Sequence, residues 1–193
     1  MTSRLLAYRP EMELPEAVGT LPLQQEDELA LAAQLLEVAA PAQFDAFLTR
    51  QLDATLAGQQ VRGTPLEPPL RQLLRQVVAP MLPLHGAAAQ ARRQHVARVF
   101  GMELEGLSPE DKEFELARHV VHLLDAVNTE LAQHGAAGGM AARAPKAQVE
   151  MALLRVARTL APGLLRQAAQ ASAQIPNGGR WRREDGHIVV LDC

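Results

Sequence analysis

Cysteine is nearly absent from the chain. Cys193, the last residue, is the only one, which excludes an internal disulfide and a cysteine zinc site and fits a reducing compartment. Aromatic side chains are just as scarce at 3%: Tyr8, Phe44, Phe47, Phe100, Phe114 and Trp181. An all-β fold draws on aromatic and β-branched residues, so this scarcity argues against one. No apolar run approaches the roughly 18 residues of a membrane-spanning helix. The stretch from Met1 to Pro22 lacks the apolar core of a secretory signal. The expected location is the cytoplasm, or export by a route that reads no N-terminal signal. HExxH, GxSxG, P-loop and GxGxxG patterns are all missing, so the expectation is a non-enzyme with no cofactor and no catalytic residue. A concentrated basic stripe is missing too, and nucleic acid is not an expected partner.

What the chain has in excess is alanine and leucine, together about a third of its 193 residues. Both favour helix. The expected fold is mainly α: one bundle-like domain of about five to six helices over residues 25–175, a mobile leader over 1–24, and a C-terminal β-hairpin over 176–193. A helix over 26–39 carries Glu26, Asp27 and Glu28 in its first turn, where the helix dipole favours acids. A second opens at Pro41 and runs to about Ala57, with Gly58 as its stop. A short helix follows from Leu70 to Val78, then another over 87–100. The clearest signal is Ser108-Pro109 with Asp111, an N-cap and first turn for a helix reaching about Gln133 and ending at Gly135. Its length makes it the expected central strut. A glycine loop then leads to a helix from Pro145, which kinks at Pro162–Gly163 and continues to Ala173. Finally, Asp185–Gly186 is a two-residue hairpin turn signal between Trp181–Glu184 and His187–Leu191.

Charge comes in blocks. Residues 1–60 carry a net −6, 61–99 +5, 100–134 −6 and 135–193 +4. Alternating blocks can dock on one another, recruit a charged partner, or simply be solvated helix faces. Glu115, His119 and His122 share one helix face at metal-ligand spacing, but they lie opposite the apolar seam, so a solvated polar face is expected and no metal. The most distinctive cluster is Arg180, Trp181, Arg182 and Arg183. Tryptophan and arginine are enriched at binding hot spots, which makes these four the candidate interaction surface. The competing reading has Trp181 anchoring the hairpin to the helices while the arginines stay in water.

Three stretches, ELALAAQLLEVAAPAQFDAFL (28–48), FGMELEGLSPEDKEFELARHVVHL (100–123) and GGRWRREDGHIVVL (178–191), together resemble a family of uncharacterised bacterial proteins. Its members carry "ELLEV…FL", "ELEGLSPEDxEFExAR" and a closing "GRWxRxGxxIVL" hairpin in the same order. Some are encoded near secretion or contractile-injection components. The resemblance does not yield an activity. Many members have a glycine-rich apolar stretch between the first two motifs, and the corresponding VVAPMLPLHGAAAQARRQHVARVF here lacks it. The expectation is therefore an interaction protein, an accessory or cargo of a secretion machine, with an unidentified protein partner. The alternative is a membrane-active effector that inserts the apolar segment Val77 to Ala91.

Overall fold

The computed structural model describes residues 25–135, 144–174, 181–184 and 187–190. The expected leader, the glycine loop and most of the C-terminal stretch lie outside these residues. The protein is mainly helical. Eight α-helices are present among the described residues: α1 (Gln25–Leu36), α2 (Pro41–Ala54), α3 (Leu56–Val61), α4 (Glu67–Val78), α5 (Gln90–Phe100), α6 (Pro109–Gly135), α7 (Pro145–Leu160) and α8 (Pro162–Gln174). Single turns of 3-10 helix, Ala79–Met81 and Ala87–Ala89, join α4 to α5.

The expected five to six helices become eight because two of them divide. The second breaks at Thr55, not at Gly58. Thr55 adopts an extended backbone (φ −116°, ψ 145°), and its hydroxyl accepts a hydrogen bond from the Gly58 N–H at 2.9 Å, capping a new helix. Gly58 is thus buried inside α3 instead of ending α2. A Cβ there would stand 2.5 Å from the Leu52 carbonyl oxygen, so only glycine fits this tight corner. Leu56 is 60% exposed because the break turns it outward. The second division falls at Ala161, whose φ of −137° and ψ of 59° end α7 just before Pro162 opens α8.

Helix α6 is 27 residues long and packs against α1, α3, α5 and α7. Its start follows the sequence signal. The Asp111 N–H donates to the Ser108 hydroxyl at 3.1 Å, and that hydroxyl donates to the Asp111 carboxylate at 2.8 Å. Leu116, Ala117, Val120, Val121, Leu123, Leu124 and Val127 are fully enclosed, so the buried face spans about 160° of the helix circumference. Around it, Leu31 and Leu35 of α1, Phe44 and Phe47 of α2, Leu70 and Leu74 of α4, Val96 and Val99 of α5 and Val149 and Ala152 of α7 complete one hydrophobic core. Phe44 and Phe47 stack with ring centroids 6.3 Å apart.

The apolar stretch from Val77 to Ala91 is folded into this core. Val78, Met81, Leu84 and Ala89 are buried. No helix among the described residues is long and apolar enough to cross a membrane.

Trp181–Glu184 and His187–Val190 run antiparallel, with Trp181 opposite Val190 and Glu184 opposite His187. Their side chains, and the turn at 185–186 that would join them as a hairpin, lie outside the described residues.

Candidate functional site

Helix α5 has two different faces. Val96, Val99 and Phe100 point into the core. Gln90, Arg93, Gln94, Ala97 and Arg98 recur at helical spacing on the other side and line a groove of about 800 Å³. The second wall comes from the α5–α6 connection and the first turn of α6. Gly101 ends α5 in a left-handed conformation (φ 68°), and the chain then passes Met102, Leu104 and Glu105 before Pro109 and Lys112. Ala97, Met102 and Leu104 form an apolar floor; Arg93, Arg98 and Lys112 bring positive charge to the rim, with Glu105 as the one acid.

The three cations are not equivalent. Arg93 is structural. Its guanidinium donates to the Leu84 carbonyl at 3.0 Å, the Gly86 carbonyl at 2.9 Å and the Glu113 carboxylate at 2.5 Å, which ties the α4–α5 connection to α6. Arg98 donates to the Gln94 carbonyl of its own helix at 3.3 Å. Among the described residues, neither Arg98 nor Lys112 forms an ion pair. Two cations without an ion-pair partner among the described residues therefore face the groove over an apolar floor. That arrangement can hold an anionic group and bury apolar surface beside it.

The residues singled out in the sequence are placed differently. Arg180 lies outside the described residues, and so do the side chains of Trp181, Arg182 and Arg183. Glu115, His119 and His122 do lie along one side of α6, but they do not converge. The Glu115 carboxylate accepts from Arg118 at 3.0 Å, and Arg118 also donates to Glu28 of α1 at 3.0 Å. Burial works against the Arg118 charge, yet the two carboxylates more than compensate and hold its pKa above the usual value. His119 is not a freely solvated side chain as expected. Its Nδ1 sits 2.9 Å from the Glu115 carbonyl, and its ring meets Phe100 edge-on at 5.6 Å, because α5 delivers Phe100 onto this part of α6. His122 is exposed. Among the described residues, no group of three or more His, Cys, Asp or Glu is placed to hold a metal ion.

The groove itself was not anticipated. Its signal was present in AQARRQHVARVFGMELEGLSPED (89–111), where a polar stripe at 90, 93, 94 and 98, interrupted by Ala97, stands opposite the apolar stripe at 96, 99 and 100. What periodicity could not show is that the following loop folds back to wall that stripe. No protein-family model, curated protein or solved structure matches the chain.

Proposed function

We propose that the protein is a non-enzymatic interaction module that captures an acidic segment bearing apolar side chains in the α5–α6 groove. The observation that carries this reading is the pairing of an apolar floor (Ala97, Met102, Leu104) with two cations, Arg98 and Lys112, that have no ion-pair partner among the described residues. Burial of apolar surface would supply affinity, while the cations would select sign and steer encounter. Exposed ion pairs each contribute about 0.2–1 kcal/mol, so the cations tune binding more than they create it. The family resemblance supports an accessory or cargo role beside a secretion machine. In that reading the C-terminal hairpin, with Arg180, Trp181, Arg182 and Arg183, is a second contact surface.

The test is fluorescence anisotropy with a synthetic helical peptide carrying glutamates on one face and leucines on the other. An equivalent peptide with lysines in place of the glutamates serves as the comparison. The chain should bind the acidic peptide in preference to the basic one. Reversing both cations (Arg98→Glu with Lys112→Glu) should weaken binding by about tenfold or more, equivalent to ~1.4 kcal/mol. Both side chains lie away from the core, so folding should survive. Equal binding of the two peptides, or no change in the double variant, would sink the proposal.

A further inference from the structure

We infer that the groove has an occupant within the same chain: the acidic segment Glu11–Glu16 (EMELPE), which docks in cis and is displaced by a stronger acidic partner. This rests on the groove reading above and adds a regulator to it.

Charge complementarity is the first argument. Glu11, Glu13 and Glu16 carry three negative charges with no base between residues 10 and 24, and the groove offers Arg98 and Lys112. Met12 and Leu14 alternate with the acids. In an extended segment this puts Glu11 and Glu13 on one side and Met12 and Leu14 on the other, where Glu16 follows them, so the Glu11–Leu14 stretch matches a cationic rim above an apolar floor. Reach is the second argument. The Arg118–Glu28 pair at 3.0 Å fixes the first turns of α1 against α6. Arg118 lies six residues beyond Lys112, roughly 9 Å along the helix at 1.5 Å per residue. The nine residues from Glu16 to Gln25 can span up to about 30 Å. The segment therefore reaches the groove with slack, and a short tether gives it a high effective concentration there.

Lysine usage makes the proposal directly testable. The chain has two lysines, Lys112 in the groove and Lys146 at the start of α7, where it lies 3.9 Å from Glu150. Zero-length carbodiimide coupling of the full chain, followed by peptide mapping, should join Lys112 to Glu11, Glu13 or Glu16. The yield should not depend on protein concentration and should fall as salt is raised. Lys146 should couple to Glu150 and serve as the internal standard. In parallel, the full-length variant Glu11→Gln, Glu13→Gln, Glu16→Gln should bind the acidic probe peptide about five- to tenfold more tightly than the parent chain, the gain expected if the segment fills the groove about 80–90% of the time.

Coupling of Lys112 only to its neighbours Glu105, Glu110 and Asp111 would overturn the inference. So would an unchanged peptide affinity in the triple variant. If the triple variant and the parent bind the acidic peptide equally, and reversal of Arg98 and Lys112 abolishes that binding, the cis occupant falls while the groove reading stands. If neither chain binds the peptide, the groove reading itself falls.

Discussion

The crossing of α5 and α8 allows a prediction in which two physical effects have opposite signs. Gly163 sits in the first turn of α8. A Cβ built there would lie 2.4 Å from the Arg98 carbonyl oxygen, 2.6 Å from the Val99 Cα and 2.9 Å from the Val99 carbonyl oxygen. Intrinsic helix propensity alone says that Gly163→Ala should stabilise the protein, by up to about 1 kcal/mol. The packing says the reverse. All three obstacles are backbone atoms of α5, so no rotamer change relieves them, and the two helices must separate by more than half an ångström. Overpacking of this kind costs about 1–3 kcal/mol, and the net result should be a loss of roughly 1–2 kcal/mol after the propensity gain is subtracted. For a chain of this size, that lowers the melting temperature by about 2–8 °C. Thermal unfolding followed by circular dichroism, with urea midpoints as a cross-check, would measure it. A neutral or raised melting temperature would refute the close crossing and the placement of α8 against α5.

Two further predictions concern polar groups. Gln51 and Asn128 are both fully buried, and the Asn128 side-chain amide donates to Gln51 Oε1 at 2.9 Å, leaving Gln51 Nε2 and Asn128 Oδ1 without partners among the described residues. Gln51→Met or Asn128→Leu alone should cost about 1–3 kcal/mol by stranding the remaining amide, whereas the double replacement should be close to neutral. Additive losses in urea unfolding would contradict this. Glu67 accepts the Gly63 N–H at 2.7 Å and the Arg71 guanidinium at 2.8 Å, and these bonds, the backbone one first, hold its carboxyl below the ordinary value. Because the folded pKa is depressed, its stabilising contribution is complete above the unfolded value of about 4.3 and disappears as pH falls through the folded value. Glu67→Gln should therefore melt below the parent at pH 7 and converge with it in strong acid; a constant offset from pH 7 to pH 2 would exclude this linkage.

The Gly163 case also shows where the sequence stops being informative. Pro162 and Gly163 announce a kink from their own backbone chemistry, but nothing local says that Gly163 must be glycine because α5 passes within contact of it. The same holds at Gly58. Read locally it is a helix stop, yet in the structure it is a tight internal position forced by the Thr55 corner and the Leu52 carbonyl. His119 was expected in water by helix periodicity. Its ring instead packs edge-on against Phe100, which arrives from another helix.

Helix identity was written locally. Alanine and leucine content, the proline-led starts at Pro41, Pro109, Pro145 and Pro162, and the Ser108–Asp111 cap act within four residues, and the observed helices follow them. The central role of α6 was legible too, because a 27-residue helix with a wide apolar face has to be surrounded. The groove was decided at longer range. It needs the polar stripe of α5, the turn through Gly101 and the return of Met102, Leu104 and Glu105 to Lys112, with Arg93 clamping Leu84, Gly86 and Glu113 together behind it. Local propensity sets which residues are helical. Which polar residues end up facing one another across a cleft depends on how the helices bury their apolar faces, and that is a property of the packed chain as a whole.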